Sequence, residues 1–342
     1  MKESGHEVVF RWQPNYDVLL ASPRAPLWML LDAKLRGKKI IQRLDGVYTP
    51  RTAAGRWWRL HNLPLSIIRT YFAGKIIYQS EFSQQQCNKY LFRIPNTKSQ
   101  TSRKIYNGVD NDMFSPEGPA ESLRENPDQH VFITWSRFRR ADQVDPLLKA
   151  FHYYHEHIEK NSKLVLIGNV PNQLKVEESP RPRVAGAGLG AAASSVPGIS
   201  QGGGASTSEP AAGAGENEAT VIRAAGDSGV NYLESIPNEN IPRYARGADV
   251  FVISHLNPPC PNNVIEAMAC GLTIAGTDTG AMPELVTNNG LLLDVNDSAA
   301  FAEAMQQAWQ RRQELGQRSR ARATEKFALT EMTQKYAEAL VL

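Results

Sequence analysis

The chain has 342 residues, of which 42% are hydrophobic and 21% charged, so it is a folded globular protein long enough for two domains. A formal net charge of +3 is too small to indicate a nucleic-acid partner, and none is expected. Three cysteines without a C-x-x-C pair indicate neither a zinc site nor a disulfide framework, and no apolar run approaches the roughly 18–20 residues of a membrane span. A cytoplasmic location is the expectation.

Short apolar runs alternate with helical patterns along the first third of the chain, which predicts a parallel sheet covered by helices. The predicted strands are Glu7–Phe10, Val18–Ala21, Lys39–Gln42, Lys75–Gln79 and Lys104–Tyr106. The opening "MKESGHEVVF" looks like the end of a first helix followed by a second strand. We therefore expect the N-terminal domain to lack its first strand and the glycine-rich turn that follows it.

The same alternation resumes after a stretch in which Gly108, Pro116, Gly118 and Pro119 break regular structure. The predicted strands there are Val131–Trp135, Leu164–Ile167, Asn231–Leu233, Val250–Ile253, Thr273–Gly276 and Gly290–Leu293. The predicted helices are Gln143–Glu159, Asn262–Cys270, Ser298–Gln313 and Leu329–Leu342. The fold class is therefore α/β with two Rossmann-like domains, residues 1–118 and 119–328, followed by a terminal helix over 329–342.

One segment of the second domain has a different composition. Between Ala185 and Gly215, 25 of the 31 residues are Ala, Gly, Ser or Pro. Such a stretch buries too little apolar surface to offset the entropy lost on ordering. It predicts a disordered low-complexity insertion at about 174–226, more simply a neutral expansion than a regulatory docking site.

The stretch "CPNNVIEAMACG" places a carboxylate, Glu266, inside an apolar run. A buried carboxylate needs a partner or a shifted pKa. Asn262 or Asn263 is predicted to cap a helix that ends at Gly271. Backbone N–H groups at that helix start suit a phosphate, and the acid suits the vicinal hydroxyls of a ribose. The alternative is a Glu favoured only by the helix dipole, which contributes about 0.3–1 kcal/mol.

A basic cluster follows the strand in "FITWSRFRRADQ". Arg137, Arg139 and Arg140 would lie at the carboxyl end of that strand, where α/β sheets bind ligands. Guanidinium groups there suit a pyrophosphate, including one that leaves during a reaction. A solvated basic turn is the simpler alternative for this cluster alone.

Taken together, several segments resemble the retaining glycosyltransferases of the GT-B fold, family 4. The matching segments, in the family's order, are "KIIYQSEFS", "KIYNGVDNDMFSP", "KLVLIGN", "IPRYARGADVFVISH", "CPNNVIEAMACG" and "DTGAMPELV". The resemblance implies two Rossmann-like domains facing a cleft, with the terminal helix crossing back to the first domain. It also implies transfer of a sugar from a nucleotide-sugar substrate with retention of configuration, without a metal or other cofactor.

The resemblance also implies roles for individual residues. Glu266 matches the second Glu of the family's E-x7-E motif, which binds the donor ribose, and Arg137 and Arg140 match the basic pair that binds the diphosphate. The remaining expected donor-site residues are Asn262, Asn263 and Gly280. The first Glu of the motif would fall at Pro258, so the handling of the sugar departs from the family pattern.

On the acceptor side, "IIQRLDGVYTP" ends a predicted strand in Arg43 and Asp45. The position of Asp45 resembles the loop that holds the acceptor, where it could orient a hydroxyl as the catalytic group; the alternative is an ordinary turn residue. The acceptor is expected to be a carbohydrate, a lipid-linked molecule or a small molecule. The D-x-D at Asp110–Asp112 reads as turn chemistry rather than a metal site.

Two alternatives stay open at the level of the sequence. "GRWWRLHNLP" could make peripheral contact with a membrane surface through the N-terminal domain, or its tryptophans could be partly buried in the core. The whole chain could also be a degenerate or truncated GT-B relative that acts as a nucleotide-binding or interaction protein. Pro258 and the missing strand favour that second view, and the charged set at the predicted donor site opposes it.

Overall fold

A computed structural model describes residues 7–9, 12–22, 25–50, 57–92, 100–169, 221–223 and 229–341. Within these ranges the chain forms two β-sheets, one of four strands and one of seven, each covered by helices. Among the described residues, no helix has both the length and the apolar character needed to cross a membrane.

The first sheet contains four parallel strands that follow one another in chain order. They are β1 (Val18–Ala21), β2 (Lys39–Leu44), β3 (Lys75–Tyr78) and β4 (Thr101–Lys104). The connecting helices are α1 (Leu27–Leu35), α2 (Trp57–Ile67), which widens into a π-type turn at Ile68–Phe72, and α3 (Glu81–Tyr90). β-branched side chains such as Ile41 and Ile77 fill the space between sheet and helices.

The second sheet has the order β11-β10-β9-β5-β6-β8-β7 and is parallel except for β7. Its strands are β5 (His130–Trp135), β6 (Ser162–Ile167), β7 (Val221–Arg223), β8 (Val230–Leu233), β9 (Val250–Ile253), β10 (Thr273–Thr277) and β11 (Gly290–Leu293). Its helices are α4 (Asp145–His157), α5 (Ile241–Gly247), α6 (Asn262–Ala269), α7 (Met282–Leu285), α8 (Ser298–Gln310) and α9 (Arg312–Lys326).

Alternate residues of β5 supply two separate cores, one on each face of the second sheet. Ile133 packs on the side of α6 and α9, against Met268 and Ala323. Phe132 packs on the side of α4 and α8, against Phe151. Because both faces are covered, the strands are apolar throughout, which is why the sequence revealed them.

Four predictions of elements need correction. Residues 7–9, the described part of the predicted strand Glu7–Phe10, are exposed and not in a strand. The strand predicted at Lys104–Tyr106 is β4, three residues earlier, because a largely exposed edge strand carries no apolar signal. Residues 221–223 of the predicted insertion form β7; the rest of 174–226 lies outside the described residues. The helix predicted over Ser298–Gln313 ends at Gln310, and α9 begins at Arg312.

The last helix, α10 (Leu329–Val341), packs against the first sheet. Tyr336 and Ala339 contact the core formed by Ile41, Ile77 and Ile105. The ammonium of Lys75 on β3 donates a hydrogen bond of 2.8 Å to the carbonyl of Ala339. The last helix is thus bonded to the first sheet.

Candidate functional site

The second sheet has a topological switch point between β5 and β9. The chain leaves β5 for β6 on one side, whereas β9 and then β10 lie on the other. In open α/β sheets the crevice outside the carboxyl ends of such strands is where ligands bind. Residues 136–140 follow β5 and residues 254–261 follow β9, so both loops lie at this edge of the sheet.

Helix α6 follows the loop after β9 and ends as predicted. Gly271 has a φ of +79°, and the bonds Gly271 N to Met268 O and Leu272 N to Ala267 O close a Schellman motif. Its start differs from the prediction, because Pro261 occupies the capping position and no side chain caps the helix.

The two asparagines predicted as caps lie inside the first turn of α6 and bind distant partners instead. The amide of Asn263 donates to the carbonyl of Trp135 at the end of β5, at 2.7 Å. The side-chain oxygen of Asn262 accepts a hydrogen bond of 2.6 Å from Asn107 of the first domain. The start of α6 is therefore joined to both sides of the cleft.

Glu266 has a specific partner that the sequence did not reveal. Its carboxylate accepts a hydrogen bond of 2.9 Å from the indole N–H of Trp135. Burial raises the pKa of Glu266 above its ordinary value, and the hydrogen bond from Trp135 opposes that rise. The arrangement holds an acidic group half-buried at the switch point, oriented by the last residue of β5.

The two arginines that are predicted to bind the diphosphate lie in the loop after β5. Arg137 is exposed. Arg140 makes a bidentate ion pair with Asp142, at 2.9 and 3.1 Å. A ligand that bound the guanidinium of Arg140 would either displace Asp142 from it or share it with Asp142.

Gly280 lies where two loops of the second domain meet. Its φ is +71°, and a Cβ built there would be 2.5 Å from the backbone of Pro258. The amide of Ala281 donates to the carbonyl of Pro258 at 2.8 Å. Gly280 therefore brings the loop after β10 against the position where the family motif has its first Glu.

His255, in the loop after β9, is a residue near the switch point that the sequence did not single out. Its ring stacks on Phe138 with 5.7 Å between centroids, and its Nε2 lies 3.4 Å from the hydroxyl of Ser136. Burial lowers the pKa of His255 to about 4. It is therefore a neutral imidazole at pH 7, which supports the loop that carries Arg137 and Arg140.

The first domain contributes a polar network at the ends of β2 and β3. Arg43 pairs with Asp45 and donates to the side chain of Asn107 at 2.8 Å. Gln79, after β3, donates to the backbone carbonyl of Asp45. Because Asn107 also donates to Asn262, the network links the predicted acceptor residue Asp45 to the start of α6.

Two other motifs noted in the sequence have structural explanations. Asp110 accepts hydrogen bonds from the amides of Asp112 and Met113, so the D-x-D is a turn. Trp58 packs edge-on against Tyr90 at 5.5 Å and is half-buried, whereas Trp57 is 65% exposed. In the part of the chain that the structure describes, no three His, Cys, Asp or Glu residues form a group able to hold a metal ion.

Comparison with known proteins supports the resemblance. Residues 210–311 match the family model of Glycosyl transferases group 1. The chain is 29% identical over 90 residues to O-antigen chain mannosyltransferase B of Escherichia coli, covering 26% of this chain and 24% of that protein. It is 29% identical over 116 residues to alpha-maltose-1-phosphate synthase of Mycolicibacterium smegmatis, covering 31% and 30%. The alignments thus span less than a third of either relative.

Solved structures share the fold over almost the whole chain. HepE of Anabaena in complex with UDP has a TM-score of 0.65 at 15% identity, covering 95% of this chain and 79% of that one. Sucrose-phosphate synthase from Thermosynechococcus elongatus has a TM-score of 0.64 at 17% identity, covering 95% and 73%. The α/β, two-domain GT-B fold and the likeness to group 1 are confirmed, and membership of family 4 stays a prediction.

Proposed function

We propose that this chain, a relative of the group 1 glycosyltransferases with the GT-B fold, is a retaining glycosyltransferase. It moves a sugar from a nucleotide-sugar donor to an acceptor hydroxyl, with no metal ion or other cofactor. The observation that carries the proposal is the half-buried carboxylate of Glu266. It lies on α6 and is oriented by Trp135 at the switch point, the residue that directly precedes the basic loop after β5.

The donor would bind across the crevice of the second sheet. Glu266 would accept hydrogen bonds from the ribose hydroxyls, and Arg137, with Arg140 released from Asp142, would bind the diphosphate. Asn262, Asn263 and Gly280 would define the loop edges nearest the phosphates and the sugar. UDP and UDP-glucose are bound in structures of HepE, which supports a nucleoside diphosphate as the leaving group here.

The reaction would take place between the two domains. The bond from the anomeric carbon to the diphosphate oxygen breaks, and a bond to the acceptor oxygen forms on the same face of the sugar. The acceptor proton passes to the departing diphosphate, so no separate base is needed. Asp45, held by Arg43, would orient the acceptor hydroxyl, and the arginines would stabilise the leaving charge.

Calorimetry tests the donor site directly. UDP, GDP and ADP are titrated into the protein in the presence of a chelator, with Glu266→Ala as the variant and Glu303→Ala, exposed on α8, as its control. We expect one nucleotide to bind, and Glu266→Ala to weaken it by about 1–3 kcal/mol, the free energy of lost charged hydrogen bonds. If no nucleotide binds at millimolar concentration, the donor site is refuted.

Retention and catalysis need a second measurement. The matching nucleotide-sugar is incubated with simple glycoside acceptors, and NMR gives the anomeric configuration of the product. A product with the donor's configuration, formed with chelator present, supports the proposal. If the nucleotide binds but the donor is neither transferred nor hydrolysed, the result favours the alternative, a nucleotide-binding relative that has lost activity. Pro258 at the first motif position is the observation that supports this alternative.

The acceptor could be lipid-linked and reached at a membrane surface. On α2, Trp57, Leu60 and Leu63 are 65%, 57% and 40% exposed, with Arg59 beside them. An apolar helix face flanked by a cation suits an anionic bilayer surface. Co-sedimentation with anionic vesicles, lost in Trp57→Ala, would support this contact. Equal recovery with and without vesicles would exclude it.

A further inference from the structure

A carboxylate of the second domain binds the N-terminus of a helix in the first. Glu284, on the short helix α7, accepts hydrogen bonds from the backbone amides of Glu81 and Phe82, each at 2.8 Å. These amides belong to the first turn of α3, where N–H groups have no partner within the helix. The hydroxyl of Tyr106 donates a third bond to the same carboxylate at 2.8 Å.

The backbone that carries this carboxylate is bonded within its own domain. Arg322 of α9 donates to the backbone carbonyls of Glu284 and Leu285, at 2.8 and 2.6 Å. Burial and the neighbouring Glu284 raise the pKa of Tyr106, so its hydroxyl stays protonated and donates. The three groups bonded to the carboxylate, two backbone amides and one hydroxyl, all donate hydrogen bonds to it.

The same helix start makes a second contact with the second domain. Ser80, which caps α3 by accepting from the amide of Ser83 at 2.9 Å, donates its own hydroxyl hydrogen to the carbonyl of Pro259. Pro259 belongs to the loop after β9 that borders the candidate donor site. The segments around Ser80 and Glu284 both carried the family resemblance, which implied no role for these two residues themselves.

We propose that Glu284 is an interdomain positioning residue that holds the cleft in its closed form. By bonding the start of α3 it sets the distance between the ends of β2 and β3 and the start of α6, and thus between Asp45 and the donor. This inference rests on the proposed function. The three hydrogen bonds that the Glu284 carboxylate accepts come from residues of the first domain, so its loss should change the population of the closed form rather than the chemistry of the donor pocket.

Two kinds of measurement test this role. The first is an interdomain distance without substrate, from spin labels on Gln85→Cys and Gln310→Cys, which are exposed sites on α3 and α8; the three native cysteines are buried. The second compares nucleotide affinity with turnover. The variants are Glu284→Ala, Glu284→Gln and Tyr106→Phe, with Glu303→Gln as the control.

We expect Glu284→Ala to lengthen and broaden the distance distribution and to lower turnover by about tenfold or more, while the nucleotide Kd changes by less than about twofold. Glu284→Gln has one acceptor oxygen instead of two, so it falls between Ala and wild type. Tyr106→Phe has a smaller effect, and Glu303→Gln behaves as wild type.

An unchanged distance distribution in Glu284→Ala overturns the proposal, and so does a loss of nucleotide binding that parallels the loss of turnover. If the wild-type chain shows no transfer at all, the proposed function fails. The distance measurement still decides whether Glu284 closes the cleft.

Discussion

Burial of the Glu266 carboxylate lowers the stability of the folded chain, and the proposed donor would offset that cost. In the folded chain its pKa is raised by burial, so the ionised form is less favourable than in the unfolded chain. The ribose hydroxyls of the proposed donor would replace the hydrogen bonds from water that the carboxylate loses on burial. The indole N–H of Trp135 supplies one of them in advance and fixes the direction in which the other lone pairs point.

Trp135→Phe isolates that orienting bond, because it removes the N–H and keeps an aromatic ring. We expect the nucleotide to bind more weakly by about 1–2 kcal/mol, as measured by calorimetry. Trp309→Phe is the matched control, since Trp309 also donates its indole N–H to a carboxylate, that of Asp249, at 3.2 Å. If the two variants weaken nucleotide binding equally, the effect comes from a general loss of stability and not from the orienting bond.

His255 predicts an acid-dependent loss of stability. Its pKa is lowered to about 4 from an ordinary value of 6.5, so between these values the unfolded chain binds more protons than the folded one. Stability contributed by the neutral ring is therefore complete above pH 6.5 and is lost as the pH falls towards 4, by about 2–3 kcal/mol.

The measurement is urea unfolding at pH 7 and pH 4.5 at one ionic strength. We expect wild type to lose more stability than His255→Gln over this interval, while His152→Gln, exposed on α4, loses as much as wild type. An identical pH dependence in wild type and His255→Gln would contradict the assignment.

Among the elements, the loops after β9 and β10 depend on each other. The loop after β9 contains Pro258 and Pro259, which limit its backbone, and the loop after β10 turns at Gly280 to meet it. The amide of Ala281 then binds the carbonyl of Pro258. Because α7 begins at the next residue, this junction also sets the position of Glu284.

Gly280→Ala would separate backbone strain from crowding when compared with Gly37→Ala. Both glycines have a positive φ, +71° and +64°, but only the Cβ at position 280 would meet other atoms within 4 Å. We expect Gly37→Ala to cost about 1 kcal/mol and Gly280→Ala about 2–4 kcal/mol, with weaker nucleotide binding only in the latter. Chemical denaturation and calorimetry measure the two effects, and equal costs would contradict the crowding.

Considered as a whole, the described part of the molecule joins its domains by contacts that include the following two. One is the cleft, where Asn107 reaches Asn262 and Glu284 reaches α3. The other is α10, which follows the second domain in sequence but buries Tyr336 and Ala339 in the first. Because α10 completes the core of the first domain, the stability of that domain depends on α10.

Removing residues 329–342 tests that dependence. Exposure of Ile41, Ile77 and Ile105 should destabilise the first domain by about 3–6 kcal/mol, while the second keeps its own two cores. Scanning calorimetry should then show an early transition separate from the main one. Lys335→Ala, on the exposed side of α10, serves as the control. A single unshifted transition would show that α10 is dispensable.

Much of the fold could be predicted because its signals are local. The strands β5, β6, β9 and β10 are buried on both faces, so each is a short apolar run. The end of α6 was predictable for a similar reason, because Gly271 adopts a φ that other residues avoid. β4 was misplaced since its residues T-S-R-K are mostly exposed and their strand geometry comes from pairing with β3.

The charged residues of the candidate site could be predicted from the sequence, but their hydrogen-bond partners could not. Glu266, Arg137 and Asp45 stand out in the sequence because a charge near an apolar run or a strand end requires an explanation. That Glu266 is bound by Trp135, 131 positions away, and that Glu284 binds amides more than 200 positions away, depends on how sheets and domains pack. Local patterns record which residues are costly to bury, and only the packed chain determines which group offsets that cost.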